Sequence, residues 1–331
     1  MIDILSIQEN VISRDLKGKY ICVYGEPKVG KTTFAAQIPN TLLCAFEKGY
    51  NFIAGVKAQP IEKWADFKLV LRQLEKPEAK QMYNTVAIDT VAEAYSLCED
   101  YICSQNGVQK IGDIPYGAGY AACKREFEKC LRKITLMDYG LVIIAHAQIK
   151  NEEIKNVKGK DEVITVEKIS PAIPARAADV VNRLVDVTGF IKTSWLPNGQ
   201  SERTLITRAT PTIMAGTRLK YLPNEIPFGY DNLVQAISDA IQKEADEGAV
   251  VVDKKKVEAE TELTFDMIRT EAAELWKNLV TEDKSNAQTI MKIVKEVFGR
   301  EIKLSEINES QKDLFYLVLT EMRALATDNS N

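Results

Sequence analysis

The sharpest chemical signal in the chain is Gly25-Glu26-Pro27-Lys28-Val29-Gly30-Lys31-Thr32, followed by Thr33. It reads G-x-x-x-x-G-K-T, the Walker A spacing. Two glycines let the backbone fold tightly enough for its N–H groups to face phosphate oxygens, and a helix starting there adds the positive end of its dipole. In such a loop Lys31 reaches the β- and γ-phosphates and the Thr32 hydroxyl ligates Mg²⁺. The motif means little unless a strand precedes it and a helix follows. Tyr20-Ile21-Cys22-Val23-Tyr24 is apolar and β-prone, and Thr33-Phe34-Ala35-Ala36-Gln37 suits a helix, so both conditions are met. The residues predict a site for a nucleoside triphosphate with Mg²⁺, cradled by Gly25 through Thr33.

Three further polar residues end apolar runs. Asp89 closes Asn84-Thr85-Val86-Ala87-Ile88, where a Walker B carboxylate belongs, and is expected to hold the Mg²⁺ shell through water opposite Thr32. The competing reading, a cap for the helix that starts at Thr90, is weaker. No other apolar strand in the first half of the chain ends in aspartate. Glu47 follows Thr41–Phe46 and is the candidate to orient or deprotonate the attacking water, set against a simple pairing with Lys48 or a surface lysine. Thr90 stands where some ATPases carry a second acid. It cannot act as a base, which moves that role to Glu47. His146, the chain's single histidine, ends Gly140–Ala145, with Gln148 two residues on. As a sensor it would touch the γ-phosphate and report nucleotide state to residues 149–170; the alternative is a structural histidine.

Stepping along the chain, strands are expected at residues 20–24, 41–46, 84–90, 140–145, 185–193 and 202–210, the last two joined by the turn Pro197-Asn198-Gly199-Gln200. Helices are expected over 61–74, 91–103, 120–137, 172–184 and 230–243. Residues 105–119 look like a glycine-containing loop, 149–170 are too irregular to assign, and 1–17 form a lead-in segment of no readable role. Strands that are continuous apolar runs, alternating with helices, give an α/β fold with a central, mostly parallel sheet flanked by helices. In such sheets functional groups gather at the carboxyl ends of strands, where the phosphate loop, Glu47, Asp89 and His146 all fall. Residues 244–262 read as a charged linker. Beyond it, 265–279, 286–298 and 306–325 read as three helices with no catalytic constellation, so the chain divides into an ATPase domain (1–243), a linker (244–262) and a small C-terminal helical interaction module (263–331).

Composition narrows the class. The 331 residues are 45% hydrophobic, ordinary for a globular chain. No apolar run approaches the roughly 18 residues of a membrane span. Met1-Ile2-Asp3-Ile4-Leu5 lacks the features of a signal peptide. Six cysteines form no C-x-x-C pair, which argues against structural zinc and for reduced thiols in the cytoplasm. Residues 1–242 hold 30 Lys+Arg against 28 Asp+Glu and residues 243–331 hold 13 against 19, so any contact with nucleic acid has to come from a local patch.

The order of these features resembles the RecA-like recombinase core. GEPKVGKTTFA, AIDT, Tyr116-Gly117-Ala118-Gly119-Tyr120 and IIAHAQ are similar to phage-encoded RecA-like nucleotide-binding proteins, among them the Sak-type single-strand annealing ATPases. The resemblance covers about residues 18–242. It implies a RecA-like P-loop NTPase core, a homo-oligomer, and ATP-dependent binding or annealing of single-stranded DNA in recombination. It also implies that the loops at 105–119 and 149–170 contact DNA, and that a basic residue from a neighbouring subunit completes the site. Arg203, Arg208 and Lys192 are the candidates. In 149–170, however, Lys150, Lys155, Lys158, Lys160 and Lys168 are balanced by Glu152, Glu153, Asp161, Glu162 and Glu167, whereas a groove tracking a phosphate backbone is positive. Lys124, Arg125, Lys129, Arg132 and Lys133 are the better basic set, although a solvated helix face explains them equally well. The helical module would recruit a recombination or single-strand-binding protein, which gives a second reading as a nucleotide-dependent loader or adaptor.

Overall fold

The structure, a computed structural model, describes residues 12–13, 18–155, 163–248, 251–252 and 263–328. The expectations for Met1–Leu5 and most of the lead-in segment fall outside these residues. So do those for Lys158, Lys160, Asp161 and Glu162, and for most of the linker. The described residues divide into two compact units, one within 12–252 and one within 263–328.

In the first unit the elements follow in the order β1 (Ile12–Ser13), β2 (Tyr20–Gly25), α1 (Lys31–Gln37), β3 (Thr41–Ala45), β4 (Ala58–Pro60), α2 (Trp64–Leu74), α3 (Pro77–Met82), β5 (Thr85–Asp89) and α4 (Val91–Gln105). Then come α5 (Ala118–Leu136), β6 (Gly140–Lys155), β7 (Val163–Pro171), α6 (Ala175–Leu184), β8 (Val187–Trp195) and β9 (Ser201–Ile206). The unit closes with β10 (Gly216–Thr217), β11 (Glu225–Pro227), α7 (Tyr230–Asp246) and β12 (Val251–Val252). The sheet runs β11-β9-β8-β2-β6-β5-β3-β4, with β10 on β8 and β7 on β6. From β8 to β4 all neighbours are parallel, and β9, β10, β11 and β7 add antiparallel pairs. The expected α/β sheet flanked by helices is therefore the observed architecture.

Both faces are covered because each strand sends alternate residues to opposite sides. Cys22, Tyr24, Leu42, Cys44, Val86, Ile88, Leu141 and Ile143 meet α2, α4, α5 and α6. Ile21, Val23, Leu43, Ala45, Ala87, Val142 and Ile144 meet Phe34 and Ala35 of α1 and Leu233, Ile237 and Ile241 of α7. A strand buried on both faces has no room for charge along its length. Its polar residues are displaced to its ends, and registry aligns those ends: Gly25 lies beside His146 and Ala45 beside Asp89.

Several expectations are corrected. Residues 149–170, left unassigned, continue β6 past His146 and return as β7, an antiparallel ribbon paired from Ala147–Pro171 to Lys155–Val163. The helix expected over 61–74 starts at Trp64 and is followed by the short α3. β9 ends at Ile206, so Arg208 lies beyond the strand. α7 runs on to Asp246, three residues into the expected linker, although its buried stripe ends at Ile241, and Val251–Val252 pair in parallel with Ile12–Ser13. Gln105–Gly119 holds two short 3-10 turns, Ile111–Asp113 and Pro115–Gly117. All six cysteines are free and buried.

The second unit is built from α8 (Phe265–Glu282), α9 (Asn286–Phe298) and α10 (Lys312–Asp328). Ile268, Ala272, Leu279, Ile290, Val294, Ile307, Phe315, Val318, Leu319 and Met322 form its core. The third helix starts at Lys312 rather than residue 306, because Leu304–Glu306 and Glu309–Gln311 are separate 3-10 turns.

Candidate functional site

β2 ends at Gly25, where a Cβ would crowd Val29 Cγ1 at 3.1 Å and Ile191 Cβ at 3.2 Å. Gly30 has φ +103° and precedes α1, whose N-terminus no side chain caps. The first N–H groups of a helix have no intrahelical partner, and here they remain available to an anion. Val29 is buried, while Glu26, Pro27, Lys28 and Thr33 are exposed around the loop.

Lys31 is buried, and its ammonium donates to the carbonyls of Gly25 (3.0 Å) and Glu26 (2.7 Å). Burial lowers its pKa, opposed by the carboxylates of Asp89 and Glu47. Thr32 Oγ1 donates to Asp89 Oδ2 at 2.6 Å. Asp89 is buried too, and burial raises its pKa against the hydrogen bond from Thr32; Glu47 adds to the rise, and Lys31 and His146 oppose it. The hydroxyl and carboxylate expected to share a metal thus already face each other. A divalent cation there would relieve the buried carboxylate. The uncapped helix start and the buried ammonium fit a phosphate chain beside it.

Glu47 is brought to the same point by the backbone. Phe46 N–H (2.8 Å) and Glu47 N–H (3.1 Å) both donate to the Asp89 carbonyl, which fixes the exit of β3 against the end of β5. Thr90 Oγ1 donates to Glu47 Oε1 at 2.5 Å, and His146 Nε2 lies 3.6 Å from Glu47 Oε2. The expected set Lys31, Thr32, Glu47, Asp89 and His146 therefore converges. Glu47 does not pair with Lys48; it is held by Thr90, a residue the sequence reading treated only as a missing acid. Gln148 is committed elsewhere, to the Pro171 carbonyl at 2.6 Å.

Among the basic candidates, Arg208 donates to the carbonyls of Leu219 (3.0 Å) and Lys220 (2.8 Å), so its guanidinium ties down its own loop. Arg203 instead reaches this chain's own phosphate loop and donates to the Val29 carbonyl at 3.0 Å. Lys192 is exposed on β8. On α5, Lys124 pairs with Asp179 and Lys133 with Glu75, while Arg125, Lys129 and Arg132 stay exposed at i, i+4 and i+7 spacing, one helix face.

Comparison with known proteins gives the chain a family. The SPbeta prophage-derived uncharacterized protein YorG of Bacillus subtilis (strain 168) is 29% identical over 341 residues, spanning 99% of each chain. The AAA_24 family, described as an AAA domain, matches residues 17–219, a stretch that contains every residue of the site. No helix among the described residues is long and apolar enough to cross a membrane. Matched over more than half its length, the chain belongs to this AAA-domain family and carries its α/β P-loop ATPase core.

Proposed function

We propose that the protein binds and hydrolyses ATP with Mg²⁺, and that it does so on single-stranded DNA in phage recombination or annealing, as a homo-oligomer in the host cytoplasm. One observation carries the ATPase half. Among the described residues Lys31 and Asp89 are the only charged side chains that are buried, and both belong to one cluster. Burying charge is costly unless it is compensated, and a site for a charged ligand is where that cost is kept.

In this reading the amides of Gly25 through Thr33 hold the phosphate chain, and Lys31 exchanges its two loop carbonyls for phosphate oxygens. Thr32 and Asp89 hold Mg²⁺, which neutralises charge on those oxygens. Glu47 accepts the proton of the attacking water. Thr90 occupies Oε1 and fixes the carboxylate, leaving Oε2 on the side of His146. His146 stands where β6 leaves the sheet to become the ribbon with β7, so a change at its imidazole reaches that ribbon directly.

The DNA half is supported by the prophage-derived relative, the likeness to annealing ATPases, and the exposed basic face of Arg125, Lys129 and Arg132. ATP turnover measured with and without single-stranded DNA at two salt concentrations tests it. Stimulation that weakens as salt rises is expected. Turnover indifferent to DNA removes that half and leaves the ATPase standing.

A nucleotide-dependent loader or adaptor is the second reading. It is favoured by a groove of about 1050 Å³ in the helical unit, walled by Trp276, Met291, Leu304 and Phe315. Indifference to DNA, together with a replication or recombination protein retained by residues 263–331, would select it.

A further inference from the structure

We infer that Arg203 is a positioning residue for the phosphate loop of its own chain: it holds the Val29–Gly30 peptide so that the Gly30 N–H faces the nucleotide. The inference rests on the nucleotide-binding reading above. Its basis is the contact between Arg203 Nη1 and the Val29 carbonyl, which joins residues 174 positions apart. In a trans peptide the C=O and N–H point in opposite directions. Among the described residues only Asp89–Thr90 is cis, so Val29–Gly30 is trans. With its carbonyl turned to Arg203 on the β9 side, this peptide presents the Gly30 N–H to the other side, the interior of the loop.

The guanidinium is itself well placed for this task. Its central carbon lies 5.7 Å from the centre of the Phe228 ring, and Phe228 in turn stacks on Phe34 of α1 at 5.4 Å. Phe228 N–H donates to the Arg203 carbonyl at 2.9 Å, locking the two residues together. The stack ties β9 to the helix that the phosphate loop opens. No carboxylate pairs with Arg203 among the described residues, so its charge is not consumed by an ion pair. Gly30 completes the fit: a Cβ there would lie 2.8 Å from Arg203 Nη1, so the arginine occupies the space that a side chain would need. The φ of +103° favours glycine here, and any side chain would push the guanidinium tip off its place against the loop.

A brace and a catalytic arginine differ in what their loss does. Losing a charge-assisted hydrogen bond that shapes the loop weakens nucleotide binding; losing a group that stabilises the transition state slows turnover. The test uses the full-length chain and compares wild type, Arg203→Ala, Arg203→Lys and Lys31→Ala for ATP affinity by calorimetry and for KM and kcat. Arg203 is exposed, so its truncation leaves the core intact. Arg203→Ala is expected to raise Kd and KM roughly tenfold, the size of one such bond, with kcat nearly unchanged. Arg203→Lys, which keeps one donor, should recover part of the loss.

Unchanged Kd and KM in Arg203→Ala overturn the inference. So does a loss confined to kcat, which would make the arginine a transition-state group rather than a brace, or turnover restored by mixing Arg203→Ala chains with Lys31→Ala chains, which would make it act across a subunit boundary. If Lys31→Ala itself bound ATP like wild type, the nucleotide-binding reading would fail first, whatever Arg203 did.

Discussion

The carboxyl edge of the sheet and the C-terminal helical unit are both closed by apolar packing, yet they bury different things. The helical unit hides ten hydrophobic residues, and its buried polar side chain is Asn286, whose amide donates to the Leu279 carbonyl at 2.9 Å. Its two-pronged ion pair, Arg323 to Glu271 (2.6 and 2.7 Å), is partly exposed. At the sheet edge, by contrast, an ammonium and a carboxylate are buried within one cluster, and burial opposes the charged form of each. A region whose polar groups are satisfied internally has finished its work once folded. A region that buries charge against its own desolvation is organised for a ligand that is still to come.

Lys31→Ala tests that contrast most severely. It should remove ATP turnover by roughly 10²–10³-fold or more, as loss of a donor aimed at developing charge does elsewhere, and it should weaken ATP binding as well. It removes one buried charge but leaves the buried Asp89 without the opposing ammonium, so the melting temperature should change little. A variant that instead unfolded would mean that the ammonium serves the fold, as polar groups in the helical unit do.

Phe315→Ala is the converse probe. It removes a fully buried ring from the helical core and should cost that unit about 3–5 kcal/mol, read by denaturant unfolding. ATP turnover without DNA should not change. If it collapsed, the two regions would not be separable in function.

Glu126→Gln gives a smaller, pH-dependent effect within the first unit. Glu126 accepts from Lys68 (2.8 Å) and from Trp64 Nε1 (3.1 Å). Although burial raises its pKa, these hydrogen bonds outweigh it and leave the carboxyl below its ordinary value. For a carboxyl lowered on folding, the stability it contributes is complete above the unfolded pKa and is lost as pH falls through the folded one. Glu126→Gln should therefore cost about 1–2 kcal/mol at neutral pH, and the gap from wild type should close under acid. A gap that widened as pH fell would reverse the sign assigned to this group.

How much of this was legible in the sequence follows from the same contrast. Strands such as Thr41–Ala45 and Gly140–Ala145 are uninterrupted apolar runs because both faces are covered, and each announces its end by the first polar residue. Glu47, Asp89 and His146 could be named on that ground alone. The β6–β7 ribbon could not, because it leaves the covered sheet: Lys150, Asn151, Glu152 and Glu153 are all exposed, so burial imposes no alternation. The third helix of the tail was expected too early because two 3-10 turns carry helix-like spacing without forming a helix. Least legible were partnerships across the chain. Nothing local to Thr90 points to Glu47, 43 positions away, and nothing local to Arg203 points to Val29. The sequence shows which side chains are available; the strand order decides which of them meet.

In the proposed mechanism the acids at neighbouring strand ends act together on one bound nucleotide, Asp89 on its metal and Glu47 on the attacking water. Glu47→Gln keeps the shape of the side chain and its bond from Thr90 while removing the base. Side-by-side measurement of ATP affinity and steady-state ATP turnover in wild type and Glu47→Gln addresses the claim directly. The prediction is near-native affinity with turnover reduced by roughly 10²–10⁴-fold, the range for loss of a positioned base. Wild-type turnover in Glu47→Gln would contradict it.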